Sequence, residues 1–209
     1  MASALPPPGG SGRSTVTKPD GTIITTEKDP ITGTVTEVTK RPDGSSTTVE
    51  TQKDGTTTTT NKTPTGTTGT VTTDKNGNIT QAEVQVSSKD VEQSQKDDQP
   101  VKLPATVPVT PDGENAPSIE IDIPKGSGTV KVEIPVKNPT TGTVAVVVKP
   151  NGVKVPVKQS IVTENGVLLP LDGSAVIKIV DRSLCFVDVH GAPWGRSLGE
   201  GVCGLCHRP

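Results

Sequence analysis

Six glycines recur along the first part of the chain at a nearly fixed spacing. They are separated by 12 residues once and by 11 residues four times, and they are Gly21, Gly33, Gly44, Gly55, Gly66 and Gly77. Each closes a turn sequence such as Pro-Asp-Gly or Lys-Asn-Gly, in which glycine allows a positive φ and proline presets the first turn position. A turn every 11 residues leaves about seven residues between turns, so the spacing restricts this region to short strands joined by tight hairpins.

The segments between these turns are rich in threonine and poor in apolar side chains. Threonine occurs 32 times, and 25 of these residues lie at or before residue 80. A strand and a turn at this period predict an up-and-down β-meander over residues 15–87. Because little apolar area is available to offset the entropy of ordering the chain, we expect either a solvated single-layer ribbon or a disordered spacer. The functional hypothesis is an extended stalk, and the alternative is a low-complexity segment whose only role is its length.

Two segments without a strand pattern flank this repeat. Residues 1–14 contain three consecutive prolines and a Gly-Gly-Ser-Gly run, which is typical of a flexible or polyproline leader, so we expect no fixed structure there. Residues 88–103 are polar and charged and contain a proline, which is typical of a linker. The sequence therefore predicts a domain boundary in this second segment.

Residues 104–181 show a strong alternation of apolar and polar side chains. Ile119, Ile121 and Ile123 alternate with Glu120 and Asp122, which predicts a strand with one buried face and one wet face. The same alternation continues through Val130, Val132, Ile134 and Val136. Residues 144–148 are apolar on both faces, so we expect this strand to be central. About seven or eight strands separated by glycine turns predict a small antiparallel β-sandwich. The predicted fold is all-β: a Thr-rich ribbon, a sandwich and an irregular tail at residues 182–209.

Composition and charge argue against several classes of function. The net charge is −2, with 21 basic and 23 acidic residues, and only 1% of the chain is aromatic. A basic stripe with interleaved aromatics, as nucleic-acid binding requires, is therefore not expected. No apolar run approaches the roughly 18 residues of a membrane helix, and the first residues lack the hydrophobic core of a signal peptide. The Thr-rich body suggests an exported bacterial surface protein whose own N-terminus precedes this chain.

The carboxylates of the predicted sandwich give no indication of acid–base catalysis. Glu120, Asp122 and Glu133 alternate along strands, where we expect them on a solvated face. A catalytic carboxyl pair needs a pocket that shifts a pKa, and no apolar rim accompanies these residues. We therefore expect neither an enzyme nor a bound cofactor.

A cysteine and histidine motif lies close to the C-terminus. Cys203, Cys206 and His207 follow the order C-x-x-C-H, which is the attachment signature of c-type haem. No helical or aromatic segment accompanies the motif to wrap a porphyrin. The same residues provide three zinc ligands, and Cys185 or His190 would have to provide the fourth. A redox pair or an intermolecular disulfide is a further alternative.

A second pattern precedes that motif and carries a resemblance. Phe186, Asp188, Val189 and Trp194 follow the order F-x-D-V-x4-W, which resembles the opening of an S-layer homology domain. That module binds secondary cell-wall polysaccharide on bacteria, and the sandwich before it resembles the segment that precedes such domains in surface proteins. The resemblance implies that Asp188 and Trp194 contact the cell-wall polymer and that the protein lies on the bacterial cell surface.

The resemblance stops after Trp194, where the family continues into an amphipathic helix and this chain continues with several glycines. A frameshift would explain the break. Codons for the last 16 residues can be chosen so that deleting one G after the tryptophan codon gives Trp-Ala-Glu-Ala-Trp-Ala-Lys-Ala-Ser-Val-Asp-Phe-Val-Thr-Ala-Arg. This string contains an apolar group compatible with one helix face. Under this hypothesis the C-x-x-C-H motif is a by-product of the wrong frame, and binding to the wall polymer is impaired.

Three functional hypotheses follow from the sequence. The first is a non-catalytic spacer and presentation segment of a cell-wall-associated bacterial surface protein. The second is a binding module in which the sandwich or a sheet edge engages a glycan or a protein, although the scarcity of aromatics argues against sugar stacking. The third is haem or zinc binding through Cys203, Cys206 and His207.

Overall fold

A computed structural model describes residues 12–111 and 116–182 of the chain. Over these residues the chain forms 17 strands and one short helix. The strands belong to a 12-stranded sheet and a 5-stranded sheet. The prediction of an all-β fold with a Thr-rich ribbon and a sandwich is confirmed. The predicted irregular tail begins at residue 182, and everything after that residue lies outside the described part.

Seven strands form the ribbon, and each pairs antiparallel with the next. They are β1 (Gly12–Thr17), β2 (Ile23–Lys28), β3 (Val35–Lys40), β4 (Ser46–Thr51), β5 (Thr57–Lys62), β6 (Thr68–Thr73) and β7 (Ile79–Gln85). β1 begins inside the segment for which no fixed structure was expected, because its Arg-Ser-Thr-Val-Thr sequence can pair with β2 in the same way as the later repeats. The ribbon alternative is thus the one that the structure takes over residues 15–87.

The turns of the ribbon follow the glycine spacing. All six turn glycines have a positive φ, between 75° and 109°, as predicted. In the first turn Gly21 N–H donates to Lys18 O at 3.0 Å, which closes a three-residue hairpin loop. In the second turn Gly33 N–H reaches back to Asp29 O at 2.9 Å, so that loop has one more residue. This extra residue accounts for the single spacing of 12.

The remaining strands are shorter on average and build the sandwich. They are β8 (Val101–Lys102), β9 (Val107–Pro108), β10 (Thr110–Pro111), β11 (Ser118–Asp122), β12 (Val130–Lys137), β13 (Thr143–Val148), β14 (Lys154–Pro156), β15 (Ile161–Val162), β16 (Gly166–Leu171) and β17 (Ala175–Asp181). The larger sheet runs from β1 to β7 and continues through β11, β17, β13 and β14, with β10 beside β17. The smaller sheet has the order β15, β16, β12, β8, with β9 also paired to β12. Most pairs are antiparallel, but β7–β11, β10–β17, β8–β12 and β9–β12 are parallel.

One hydrophobic core lies between the two sheets. It joins Ile119 and Ile177 of the larger sheet to Val132 and Leu169 of the smaller one, all at most 1% exposed. The last ribbon strand also belongs to this core, because Ala82 and Val84 of β7, and Val86 just after it, are at most 6% exposed. Packing is therefore continuous from the last strands of the ribbon into the sandwich.

The segment expected to be a linker, residues 88–103, is folded. It contains helix α1 (Ser88–Asp97), followed by β8. Ser87 caps the helix by accepting from Asp90 N–H, and Asp98 ends it in the left-handed conformation with Pro100 soon after. Val91 is the buried residue of the helix and joins the core. A short helix with a single apolar anchor has the same mean polarity as a linker, which is why composition missed it.

Two expectations for the sandwich need correction or refinement. Glu133 is only 9% exposed, so the expected solvated position is wrong for this residue. Its carboxylate is satisfied because Thr163 Oγ1 donates to it at 2.8 Å. β13 lies in the interior of the sheet between β17 and β14, and its outer face packs in a small second cluster with Ala116, Val146 and Val180.

Candidate functional site

The sequence-predicted site residues lie beyond residue 182 and outside the described residues. This applies to Asp188 and Trp194 and to Cys203, Cys206 and His207. Within residues 12–111 and 116–182, no group of three or more His, Cys, Asp or Glu side chains is placed to hold a metal ion. No helix in the described part of the chain is long and apolar enough to span a membrane. The geometry that distinguishes this part is the junction between ribbon and sandwich.

The junction is a parallel strand pair. β7 and β11 align Glu83 with Glu120, Val84 with Ile121 and Gln85 with Asp122. The ladder is extended by Val86 N–H, which donates to Asp122 O at 2.9 Å. Backbone hydrogen bonds therefore run without a break from the ribbon into the sandwich, and both elements share one sheet.

A cluster of hydroxyl groups around one carboxylate fixes α1 to the ribbon. This Asp90 cluster consists of Asp90, Thr63, Thr65, Thr67 and Ser87. Ser87 Oγ donates to Asp90 Oδ2 at 3.0 Å and Thr63 Oγ1 donates to it at 3.3 Å. Thr65 and Thr67 donate to the two carboxylate oxygens as well. Three donors come from the turn between β5 and β6, so the helix start and that turn are held together.

The Asp90 cluster also sets the charge state of its carboxylate. Partial burial acts to raise the pKa of Asp90, but the hydrogen bonds from Thr65, Thr67, Ser87 and Thr63 act against it and hold the pKa below the ordinary value. Hydroxyl donors stabilise the ionised carboxylate and not the neutral acid. The cluster is therefore a charged anchor at neutral pH, half-buried under the turn.

A second contact fixes the ribbon to the segment that leads into the smaller sheet. Asn61 Nδ2 donates to Pro104 O at 3.2 Å. On the next strand, a Cβ added at Gly69 would lie 2.7 Å from the same carbonyl oxygen and 3.1 Å from the Ala105 Cβ. The two backbones approach so closely here that only glycine fits. A hydrogen bond from Thr47 to Asn61 Oδ1, at 2.9 Å, extends this contact one strand further along the ribbon.

A groove lies beside this contact, between the ribbon and the end of the sandwich. It has a volume of about 730 Å³. Val71 and Ile79 provide its apolar wall on the ribbon side, and Pro108, Pro117 and Lys137 line the opposite side. Volumes of this size are typical of ligand sites, but the groove is open and its apolar lining is aliphatic. Stacking on an aromatic ring, the usual way to hold a sugar, is not available from these side chains.

The opposite face of the ribbon is covered by rows of threonine hydroxyls. Thr58 and Thr72 are hydrogen-bonded across β5 and β6 at 3.2 Å, and Thr60 and Thr70 at 3.1 Å. The side chains of β5 are all partly exposed, apart from the exposed Lys62. Cross-strand threonine pairs therefore stabilise a sheet that is wet on this face.

Successive turns on each long edge of the ribbon lie against one another. A Cβ at Gly21 would meet Pro42 at 3.2 Å, and one at Gly55 would meet Lys75 Cβ at 3.0 Å. These two glycines thus lie against the turn two strands further on. Several turns are also braced by an aspartate, and in one of them Asp20 accepts from Thr22 N–H at 2.9 Å. That backbone hydrogen bond is the main reason that the pKa of Asp20 is lowered.

Sequence reasoning missed the residues that build the junction. The Asp90 cluster has a local signal, because Ser87 and Asp90 have the spacing of a helix N-cap, and Thr63, Thr65 and Thr67 occupy alternate positions of one turn. The contact of Asn61 and Gly69 with Pro104 has no local signal. In chemical terms the junction can hold the ribbon and the sandwich in a fixed arrangement. The described residues of the junction do not bring together a nucleophile, a base and a group that orients the base.

Comparison with models of protein families, with curated proteins and with solved structures finds no match for this chain.

Proposed function

We propose that the chain is a non-catalytic spacer that holds its neighbouring segments at a fixed distance on a bacterial cell surface. The continuous pairing of β7 with β11 carries this proposal. A stalk joined to its base through one flexible linker would swing freely. Here the last ribbon strand, the helix and the hydrophobic core share contacts, so the ribbon direction is set by the sandwich.

The dimensions of the ribbon support a spacer role. Seven strands contain six inter-strand steps of roughly 4.7 to 4.9 Å, which gives a length of about 28 to 29 Å from β1 to β7. The strands lie across this direction, so each added 11-residue repeat lengthens the ribbon by one step. Length is thus adjustable through repeat number without any change in the sandwich, which is a useful property for a spacer.

Changing the number of repeats tests the proposal. Deleting residues 35–56 removes β3 and β4 with their turns and joins Thr34 to Thr57, which occupies the same register position as Val35. We expect the maximum dimension in small-angle X-ray scattering to fall by about 9 to 10 Å, two inter-strand steps. Duplicating the same unit is the matched control and should lengthen the particle equally. An unchanged dimension in both variants would contradict a rigid ribbon.

Attachment to the cell wall is the further part of this proposal. It rests on the resemblance of residues 186–194 to the start of an S-layer homology domain, with Asp188 and Trp194 as the matching residues. In a pull-down on purified cell-wall sacculi we expect little binding by this chain and strong binding by a version in which the reading frame is corrected after Trp194. Equal binding by both would contradict the anchoring hypothesis.

A binding role for the groove is the second candidate function. The groove beside Asn61 has the volume of a ligand site and combines the apolar Val71 and Ile79 with the cationic Lys137. An extended acidic peptide would match this lining better than a sugar. Replacing Val71 and Ile79 with threonine should abolish such binding and leave the particle dimension unchanged, which separates this role from the spacer role.

A further inference from the structure

β1 differs from the other edge strands in the described part of the chain. The larger sheet ends at β1 and β14, the smaller sheet ends at β15 and β8, and the two-residue, proline-containing strands β10 and β9 lie off these strand orders. β14 has three residues and contains Pro156, and β15 and β8 have two residues each. Such short or proline-containing edges do not accept a new strand readily. β1 has six residues without proline, and all six are exposed.

The hydrogen-bonding groups on the free side of β1 follow from its pairing with β2. Lys18 N–H donates to Thr22 O at 2.8 Å and closes the hairpin. In an antiparallel ladder the residues alternate, so Val16 and Ser14 exchange hydrogen bonds with β2. Arg13, Thr15 and Thr17 then direct their N–H and C=O groups away from the sheet. This gives three donors and three acceptors in one row.

The segment before β1 is a poor partner for this row. It contains Pro6, Pro7 and Pro8, and proline has no N–H to donate to a ladder. We propose that the free edge of β1 pairs antiparallel with β1 of a second copy of this chain, around a two-fold axis at Thr15. This inference goes beyond the spacer function, because it assigns a self-association site to the end of the ribbon.

One register alone uses every outward-facing group. Pairing Thr15 with Thr15 of the second copy also places Arg13 opposite Thr17, and six backbone hydrogen bonds form. A register shifted by two residues loses at least one of these residue pairs. A shift by one residue places the outward-facing N–H and C=O groups of one strand opposite residues of the other strand whose groups already bond to β2. The chosen register keeps the two Arg13 side chains four residues apart along the strand, so no like charges face each other.

The same register continues the side-chain rows of the ribbon across the axis. Thr15 already pairs with Thr25 of β2, with hydroxyl oxygens 3.3 Å apart. The row would run through Thr25, Thr15 and the same two residues of the second copy. On the other face Val16, which is 58% exposed, would gain Ser14 of the second copy as a neighbour. Two ribbons would then form one sheet with a sandwich at each end.

The mass of the particle in solution tests this pairing. Sedimentation equilibrium over a concentration series should show the full chain moving from 21.5 kDa towards twice that mass. Thr15→Lys places two ammonium groups opposite each other and should raise the dissociation constant by roughly tenfold or more. Thr25→Lys is the matched control, since it lies in the same row one strand further in, and it should dimerise like the unmodified chain. A single-chain mass for the unmodified protein up to its solubility limit would overturn the proposal, as would a Thr15→Lys variant that dimerises unchanged.

The register has a separate test. In a background with Cys185, Cys203 and Cys206 replaced by serine, Thr15→Cys should form an intermolecular disulfide on mild oxidation. The expected Cα separation of about 5.5 Å for a hydrogen-bonded pair lies within the disulfide range. Arg13→Cys is the control, because the two introduced cysteines would lie about 13 Å apart along the strands. Cross-linking of both variants to the same extent would show a disordered contact and would overturn the two-fold register.

Discussion

The side-chain amide of Asn61 donates a hydrogen bond to the carbonyl oxygen of Pro104 at 3.2 Å, across 43 residues of sequence. This contact and the Asp90 cluster are side-chain contacts that fix the exposed ribbon to the folded base, in addition to the backbone pairing of β7 with β11. Both contacts lie near β6, where the single-layer ribbon meets the two-layer sandwich. The stability of the junction therefore depends on a few groups whose replacement can be tested one at a time.

The close approach of Gly69 to the Pro104 carbonyl predicts a penalty for any side chain at this position. Gly69→Ala would place a methyl group 2.7 Å from that oxygen, so the two backbones must separate. We expect a loss of about 1 to 3 kcal/mol in the free energy of unfolding, the usual cost of overpacking. Urea unfolding measures this loss. Gly173→Ala is the control because nothing lies within 4 Å of its added Cβ, and equal effects at both positions would contradict the explanation.

The Asp90 cluster predicts a large effect for an isosteric change. Asp90→Asn keeps the shape of the side chain but replaces a charged acceptor for four hydroxyls by a neutral one. Hydrogen bonds to charged groups are worth about 1.5 to 3 kcal/mol each, so we expect a loss of about 2 kcal/mol or more at pH 7. Asp97→Asn on the exposed side of the same helix should stay within about 0.5 kcal/mol of the unmodified chain. Thermal unfolding followed by circular dichroism distinguishes the two variants.

The lowered pKa of Asp90 predicts a specific pH dependence. The folded protein holds this pKa below 3.8, the ordinary value, so the unfolded chain binds a proton more readily than the folded one. The stabilisation is therefore present above the unfolded pKa and is lost as the pH falls through the folded pKa. We expect the difference in unfolding free energy between the unmodified chain and Asp90→Asn to be constant from pH 7 to about pH 5 and to shrink towards pH 2. A difference that is independent of pH would exclude Asp90 as its source.

At the turn glycines, we expect the effect of a substitution on stability to depend on the positive φ as much as on the space around an added side chain. A Cβ at Gly77 would meet nothing within 4 Å, but its φ is 83°. Gly77→Ala should therefore cost about 1 to 2 kcal/mol through backbone strain alone, while Gly77→Asn should cost less because asparagine tolerates this conformation. Gly55→Ala has a similar φ and meets Lys75 Cβ at 3.0 Å, so it should be the most destabilising of the three. Chemical unfolding of the three variants tests this order.

The ribbon could be predicted from the sequence because its turns depend on local chemistry. A glycine such as Gly44 can adopt a positive φ without a steric penalty, and the proline and aspartate before it favour the same hairpin loop. The alternation around Ile121 and Val132 predicted the buried faces of the sandwich for the same reason. The spacing of turn residues and the alternation of apolar side chains are local properties of the sequence, and the folded chain retains both.

The junction could not be predicted because its contacts are non-local. Nothing in the sequence around Val84 indicates that β7 pairs in parallel with β11 rather than ending the sheet. Gly166 illustrates the same limit: it closes the turn between β15 and β16, as a glycine turn in the sequence would suggest, but nothing local shows that an added Cβ would lie 2.0 Å from Ile134 O of β12. Glu133 was expected in solvent because the alternation of apolar and polar side chains shows which residues share a face of the strand. It does not show whether another part of the chain covers that face. Helix α1 was the one missed element with a local signal, in Ser87 and Asp90.

The strands of the ribbon lie across its long direction, and this arrangement determines how it would respond to a pulling force. Tension between β1 and the sandwich would act perpendicular to the strands. The hydrogen bonds between β1 and β2 would therefore break one pair at a time, whereas a force along the strands would load all of them together in shear. Each 11-residue repeat that peels away would release up to about 36 to 40 Å of chain. Under load the ribbon would extend in steps from β1 inwards, and the Asp90 cluster would mark where that extension meets a stiffer base.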